Sequence, residues 1–519
     1  MNTINKETNE NGINKGLNKT NSLEEFYAGC GILLTGATGF VGKGLLEKLT
    51  RMCPRIAAIF ILIRSKTNET VEQQFEKLLH DPIYDDIKAK HPAVFSKVYA
   101  VKGDISLPNL GLSQEDRNLL LEKVNIVFHA AATVRFNEPL HVAVNVNAKG
   151  TARIIELWNE LKHPISFVHV STAYSNVNLH NIEEKVYTTS LSPSEVIDMC
   201  DKFDKTSINL LEKRILKTYP NTYTFSKNLA EQIVASKCKD MPAAIVRPSV
   251  ISASLKEPCP GWVEKISAVT GTFVLIGRGC TTAVRGRRDT RLDVVPIDFV
   301  VDVIMCTAWH VTLHRDREVK VYNCTSNAYP FTFGQMVDAM VKCSIETPLN
   351  DTIWYPGCSV VTNRYIYNFL SVFPRVLLAF AIDIFLRLRG SKPIMMKILR
   401  NGNKLFKSFA FFTLNEWTFQ RDNCSDLARK VKMLRDGDML KLDLEDLDLE
   451  KYIAIYLVGI RKFILKQEFK STARQRLSRL YCMHQITKVS GIIIFLWIIF
   501  CFVYWLFERY FFIFQPKTI

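Results

Sequence analysis

Ile32-Leu33-Leu34-Thr35-Gly36-Ala37-Thr38-Gly39-Phe40-Val41-Gly42 decides the fold of this chain. Ile32–Leu34 is a short apolar run that predicts a buried strand. Val41, Leu45, Leu46 and Leu49 recur at helical spacing, so a helix follows. Strand, glycine turn and helix together are the context of a dinucleotide-binding turn. Gly36 permits the tight turn, Gly39 lets backbone approach a pyrophosphate, and Gly42 lets helix and strand pack closely. Thr38, Phe40 and Val41 complete the cradle, and the helix N-terminus offers free N–H groups to phosphate. The spacing is G-x-x-G-x-x-G, not G-x-G-x-x-G.

The next strand, Ala58 to Ile63, ends in Arg64, with Lys66 just beyond. An acid near this position would hold a ribose 2′-OH. Two cations suit a 2′-phosphate instead, Arg as a fork and Lys as a point charge. The cofactor expected is therefore NADPH; the alternative is a solvated basic loop. Asp104, with Ile105 beside it, ends the strand from Lys97 to Val101 and is placed at the adenine edge. Ile126–His129 is a further strand. It runs into Ala130, Ala131 and Ala132, small residues where the nicotinamide half would lie. Asn147 to Thr151 is expected to open the next helix.

Ser166 to Val170 predicts a strand with the hydroxyl pair Ser171 and Thr172 at its C-terminal end, where open parallel sheets bind ligands. Tyr223 and Lys227 are four apart and share a helix face. A free phenol titrates near pH 10, and a nearby ammonium is expected to lower that value by favouring phenolate. Tyr223 then gives a proton to a carbonyl oxygen as hydride arrives. Thr172 or Ser171 donates the second hydrogen bond.

These elements resemble the extended short-chain dehydrogenases/reductases, and within them the alcohol-forming fatty acyl-CoA reductases with a male-sterility-type C-terminal domain. The marks are the glycine start, Ile63-Arg64-Ser65-Lys66, His129 to Phe136, Val168 to Tyr174, Pro220 to Lys227 and Arg247-Pro248-Ser249. The more specific ones are Glu257-Pro258-Cys259-Pro260-Gly261-Trp262, Asp293 to Asp298, Trp354-Tyr355-Pro356 and Phe411 to Trp417. The resemblance covers about Phe26 to Lys466. It implies Gly36, Gly39 and Gly42 at the pyrophosphate and Arg64 at the 2′-phosphate. It implies Pro248 and Ser249 near the nicotinamide, and Thr172, Tyr223 and Lys227 as the catalytic group. It also implies reduction of a fatty acyl-CoA to a primary alcohol with two NADPH. Leu449 departs from the pattern, standing where the family often has Trp.

A free carboxylate accepts hydride poorly. The chain shows no adenylating or carrier segment, so an activated thioester is the expected substrate. The thirteen cysteines lack metal-like pairing, which fits a reducing compartment, and no metal is expected. The net charge of +16 comes with no nucleic-acid motif, and anionic lipid and CoA phosphates account for it. Arg285, Arg287, Arg288 and Arg291 either meet CoA phosphates or form a solvated loop.

Gly491 to Phe507 is uncharged throughout and, with Val489 and Ser490, predicts a membrane span. Arg474, Arg476, Arg479 and Lys488 precede it, so the positive-inside rule places the large domain in the cytosol. The organelle is the endoplasmic reticulum, peroxisome or lipid droplet. Arg375 to Arg387 is apolar but holds Asp383; it is either a core helix or a membrane-surface helix.

The fold expected is a doubly wound α/β Rossmann sheet over 26–345, then a mostly helical domain over 346–466 and a transmembrane helix over 489–507. Residues 1–22 form a disordered tail and 508–519 a short tail. An insert between Thr172 and Tyr223 is expected to hold helices at Pro193–Cys200 and Ile208–Lys217, either capping the substrate or simply looping out. Two other functions fit the nucleotide and Tyr/Lys motifs: a membrane-bound sterol or ketone reductase, and a catalytically silent NADPH-binding scaffold.

Overall fold

The computed structural model describes residues 21–313, 318–326 and 331–513. Seven parallel strands form one sheet: β1 (Gly31–Thr35), β2 (Ala58–Ile63), β3 (Val98–Lys102), β4 (Ile126–His129), β5 (Ser166–Val170), β6 (Ala243–Pro248) and β7 (Lys320–Cys324). Their order is β7-β6-β5-β4-β1-β2-β3. The chain winds outward from β1 in one direction and from β4 in the other. The crevice between β1 and β4 is thus the topological switch point, where such sheets bind ligands.

Alternation along each strand feeds two cores. Ile32, Leu34, Ile59, Ile61 and Ile63 enter the cluster that contains the Phe40–Met52 and Ile297–Leu313 helices. Leu33, Phe60 and Leu62 enter the opposite one, with the Gly150–Asn159 and Thr222–Lys237 helices. Both sheet faces are covered, which is why these strands read as unbroken apolar runs.

The segment after residue 346 is helical but shares the first core. Phe409, Phe412, Trp417, Tyr452 and Tyr456 lie in the same cluster as Ile32. Tyr452 donates to the Ala253 carbonyl at 2.7 Å, and the Tyr456 and Thr270 hydroxyls meet at 2.7 Å. Thr418–Phe419 adds parallel to Asn181–Ile182, and Ser359–Val361 to Ala283–Arg285.

Several details differ from expectation. Residues 1–20 of the expected tail lie outside the described residues, but Ser22 caps the Leu23–Tyr27 helix by accepting from the Glu25 N–H at 3.2 Å. Leu23, Phe26 and Tyr27 are buried, so packing begins ahead of Phe26. The insert helices run Pro193–Lys202 and Lys205–Leu216, the first opened by a Ser192/Glu195 capping box. Asn147 does not open a helix. Helical chain already starts at Leu140, and Asn147 sits inside a π-helical turn, Val144–Lys149. The Arg375–Arg387 stretch belongs to a helix, Phe373–Leu388, that is not a core element: Leu377, Phe380, Phe385 and Leu388 are exposed. Its Asp383 is buried because it accepts from the Met395 and Met396 N–H groups at 2.9 and 3.0 Å, opening the next helix, Met395–Leu414. The apolar terminal run lies within one continuous helix, Thr472–Ile513. That helix is long and apolar enough to cross a membrane, with a window of mean hydropathy 2.5 that the protein does not bury. It carries on past 507 because nothing from Glu508 to Ile513 breaks helix.

Candidate active site

Gly36 adopts φ +76°, and a Cβ there would stand 2.8 Å from the Ala131 nitrogen. A Cβ on Gly42 would stand 2.2 Å from the Gly36 carbonyl oxygen, so the helix can sit this close to the turn only without a side chain. Gly39 is the N-cap and supplies no capping side chain, which leaves the first N–H groups of the Phe40–Met52 helix open to an anion. A cavity of about 630 Å³ begins at this turn, at Gly36, Thr38 and Gly39. It continues past Arg64, Asp104 and Ile105 to Ala130–Thr133. Cradle and cavity fit a dinucleotide. Phe40 and Val41 do not line this cavity, and the Phe40 ring packs on Trp262 with centroids 4.8 Å apart.

Of the two cations after β2, only Arg64 lines the cavity, 65% exposed and 3.9 Å from Asp104. Lys66 is paired with Glu69 at 3.4 Å. Asp104 also accepts from the Ser106 N–H and hydroxyl at 2.8 and 2.7 Å. Two further cations that the sequence reading missed, Arg135 and Lys265, line the same cavity. Neither belongs to the glycine turn or the β2 end, where the motif directs attention.

Beneath the cavity floor, Thr35 Oγ1 meets His129 Nδ1 at 2.8 Å, and His129 Nε2 meets Thr151 Oγ1 at 3.1 Å. Burial, with help from the Lys227 charge, holds His129 near 3, so the ring is neutral. Asn147 acts as a staple. Its Nδ2 donates to Ser226 Oγ at 2.9 Å and to the Thr133 carbonyl at 3.0 Å, and its Oδ1 accepts from the Thr133 N–H at 2.9 Å. It therefore fixes the cavity wall to the Tyr/Lys helix.

That helix, Thr222–Lys237, is capped by Asn221 and presents Tyr223, Lys227 and Glu231 at successive i+4 positions. Tyr223 shares a side-chain hydrogen bond with Thr172. The expected lowering of its pKa is not what the structure shows. Burial dominates and pushes the phenol up to about 12; the Thr172 bond works against this and the Glu231 charge adds to it. Lys227 Nζ donates to the Val170 carbonyl at 2.6 Å, and burial brings it down to about 8 against the pull of Glu231.

The two hydroxyls after β5 have different partners. Ser171 Oγ donates to Glu231 Oε1 at 2.5 Å, whereas Thr172 Oγ1 lies 3.4 Å from the Pro248 carbonyl, beside Tyr223. Glu231 in turn forms a bidentate pair with Arg247, at 2.9 and 2.6 Å, with both side chains wholly buried. Ser249 follows Pro248 and donates its N–H to the Cys324 carbonyl at 3.1 Å, at the same edge of the sheet as Thr172. Glu231 was missed, although its spacing from Lys227 was a usable signal.

An aromatic wall stands over Tyr223. Phe136 stacks on its ring with centroids 6.0 Å apart, and Phe412 packs on Phe136 at 5.6 Å. Tyr174 joins Phe412 to Trp417, whose Nε1 donates to the Val177 carbonyl at 3.1 Å. The Phe411–Trp417 segment therefore helps build the site from far along the chain. Three of the four clustered arginines are paired with acids: Arg287 with Asp289 at 2.7 Å, Arg288 with Asp338, and Arg291 with Glu416 at 3.5 Å. Arg285, at the end of the Ala283–Arg285 strand, donates to the Thr362 carbonyl at 3.4 Å.

This combination of a nucleotide cradle and a C-terminal aromatic wall has close parallels. Family models described as male sterility protein match residues 34–304, the NAD-binding part, and 375–467. Fatty acyl-CoA reductase 1 of Pongo abelii is 35% identical over 462 residues, 88% of this chain and 90% of that protein. The chain belongs to the fatty acyl-CoA reductase family. Fatty acyl-CoA reductase wat of Drosophila melanogaster is 33% identical over 468 residues, 90% of each chain. The fold also matches solved reductase domains. The terminal R domain of the myxalamid PKS-NRPS pathway superposes with TM-score 0.56 at 21% identity, covering 84% of this chain and 91% of that one. The R domain of a Mycobacterium tuberculosis nonribosomal peptide synthetase gives 0.55 at 17%, covering 84% and 92%. In this fatty acyl-CoA reductase the second family segment contains Phe412 and Trp417, so the two family segments meet at Phe136 and Tyr174, the first of which stacks on Tyr223.

Proposed function

We propose that this enzyme reduces a fatty acyl-CoA to a primary fatty alcohol with two NADPH, releasing CoA and passing through an aldehyde. The observation that carries the reading is the Thr172–Tyr223 pair at the ligand end of β5, next to a nucleotide cavity and beneath the aromatic wall. The family's substrate class and the apolar wall support an acyl chain; Arg64, Arg135 and Lys265 support a cofactor with an extra phosphate.

Bound NADPH supplies hydride. Tyr223, at about 12, is protonated at neutral pH and acts as the acid. Thr172 gives the same oxygen a second hydrogen bond, and Lys227 keeps a positive charge nearby. In the first round hydride adds to the thioester carbon and Tyr223 gives its proton to the oxygen; the C–S bond then breaks as that hydroxyl's proton passes to sulfur, giving aldehyde and CoA as the thiol, and Tyr223 takes a new proton from solvent. In the second, hydride adds to the aldehyde carbon and a proton to its oxygen, giving alcohol. Ser171 is committed to Glu231 and positions that group. The terminal helix crosses the bilayer with the large domain on the cytosolic side, as its basic upstream flank favours, in the endoplasmic reticulum, peroxisome or lipid droplet.

The test uses membranes from cells expressing wild type or Tyr223→Phe, given NADPH and acyl-CoAs of graded length, with products identified by gas chromatography. Alcohol from the wild type alone supports the reading. Absence of both alcohol and aldehyde from wild type that still binds NADPH overturns it.

A further inference from the structure

We infer that the helical hairpin of residues 364–414 is a second membrane contact, whose outer face lies in the bilayer surface and passes acyl chains from lipid toward Tyr223. The contact rests on the reading of the terminal helix as a span, and the delivery role rests also on the proposed reaction.

The hairpin is inverted with respect to a soluble protein. Along Phe373–Leu388, Leu377, Phe380, Ile384 and Leu388 recur every three or four residues, forming one stripe, and all four are exposed. Leu388 is 81% exposed and Phe380 60%. Just upstream, Tyr365 and Phe369 are 81% and 72% exposed. The one carboxylate in the helix, Asp383, points the other way and caps the partner helix. Grouped apolar exposure of this kind marks an interaction surface. Between Arg364 and Arg400 the chain carries seven Lys or Arg and a single acid, Asp383. Apolar side chains rimmed by cations are the signature of a helix lying at an anionic lipid surface.

The terminal helix identifies the occupant as bilayer. Tyr355 packs against Tyr481 and His484 with ring centroids 5.1 and 5.6 Å apart, and Trp354 meets His484 at 6.2 Å. The Trp354 N–H donates to the Arg278 carbonyl at 3.1 Å, and Thr282 Oγ1 donates to the Leu370 carbonyl at 2.8 Å. One short loop, Arg278 to Thr282, thus holds both the base of the terminal helix and the start of the hairpin. Four residues of chain reach at most about 14 Å. Gly491 lies seven residues beyond His484, about 10 Å along the helix. The hairpin and the apolar run therefore leave the body of the protein at the same end.

The second hairpin helix supplies the route. Met395–Leu414 is about 30 Å long. Its far end places Phe409 and Phe412 in the core, where Phe412 packs on Phe136 above Tyr223. One helix therefore joins the exposed face to the site.

The test uses the full chain in phosphatidylcholine and phosphatidylserine liposomes that carry an alkyne-tagged phosphatidylcholine. The photoreactive residue p-benzoylphenylalanine replaces Phe380, Leu388, Ile494 or Leu210 singly. The inference expects lipid adducts at the first three and none at Leu210, an exposed position on the insert. Adducts at Ile494 without adducts at Phe380 and Leu388 overturn it, as do adducts of those two to a second copy of the chain, or no lipid adduct anywhere. Delivery is tested by F380E/L388E in the full chain. The expected result is at least about a tenfold fall in kcat/KM for long-chain acyl-CoA, with a short, water-soluble acyl-CoA unaffected. An equal fall for both, or none, overturns delivery. A wild type inactive on every acyl-CoA overturns the proposed function while leaving the crosslinking result to stand.

Discussion

Ser171 binds Glu231, Oγ to Oε1, at 2.5 Å, and this contact separates the roles of two adjacent hydroxyls. Glu231 is also held by Ser175 at 2.9 Å and by the Arg247 fork. Ser171 thus completes the shell of a buried carboxylate, while its neighbour Thr172 is left beside Tyr223.

The two hydroxyls should therefore fail differently when removed. Thr172→Val keeps shape and β-branching but loses the second donor to the carbonyl oxygen, and kcat should fall about 100- to 1000-fold, while loss of its cap on the Tyr174 N–H costs only about 1 kcal/mol. Ser171→Ala should cost about 1–3 kcal/mol of stability and leave most of kcat. Steady-state kinetics beside chemical denaturation reads both. The reverse pattern would make Ser171 the donor.

The Lys227 environment sets a pH limit. Its ammonium titrates near 8 in the folded enzyme, so kcat/KM should drop through an alkaline limb centred there. Stability moves the other way. Unfolded lysine titrates near 10.4, so between the two values the unfolded chain binds more protons and folding stability rises with pH. Glu231→Gln removes the charge that supports the Lys227 proton, and the limb should shift below 8. It also strips the buried Arg247 of its partner, at a cost of about 3–5 kcal/mol. A limb that stays in place in a folded Glu231→Gln enzyme would separate it from Lys227.

What was legible in the sequence was local. The glycine turn, the strand ends at Arg64, Asp104 and Thr172, the Ser192 cap and the Tyr223/Lys227 pair each follow from residues a few positions apart. What was missed depends on contacts across the chain. Tyr223 is raised, not lowered, because burial outweighs the Thr172 hydrogen bond and the Glu231 charge adds to it; the ring that covers it, Phe136, is itself backed by Phe412, 276 positions away in sequence. Asp383 gave no hint that it caps Met395 and Met396 and so turns an apolar helix face outward. Lys66 looked equivalent to Arg64 until Glu69 was seen to hold it.

Gly42 and Gly39 should also part company. An alanine methyl at Gly42 would press into backbone, the Gly36 carbonyl oxygen at 2.2 Å, which cannot swing aside. Gly42→Ala should destabilise by about 1–3 kcal/mol and abolish cofactor binding. At Gly39 the same methyl stands 3.3 Å from that oxygen, and φ is an ordinary −97°. Gly39→Ala should cost less than about 1 kcal/mol yet weaken NADPH binding about tenfold by occupying the phosphate approach. Calorimetric titration and thermal melts separate the two effects.

The proposed choice of NADPH turns on which cation meets the 2′-phosphate. Arg64 lines the cavity and is held only loosely, 3.9 Å from Asp104, so its guanidinium is available to an incoming anion. Lys66 already faces Glu69, which also takes Lys77, and releasing it would leave that carboxylate less compensated. A charge-assisted hydrogen bond contributes about 1.5–3 kcal/mol, and each 1.4 kcal/mol is about tenfold in affinity. Arg64→Ala should therefore lower the preference for NADPH over NADH, measured as the ratio of kcat/KM values, about 10- to 100-fold, almost entirely through NADPH. Lys66→Ala should change that ratio less than about threefold, in keeping with an exposed pair of small net worth. Equal losses in the two variants would mean that the loop after β2 rearranges to bring Lys66 to the phosphate. No loss in either would move the phosphate contact to Arg135 or Lys265, the other cations lining the cavity.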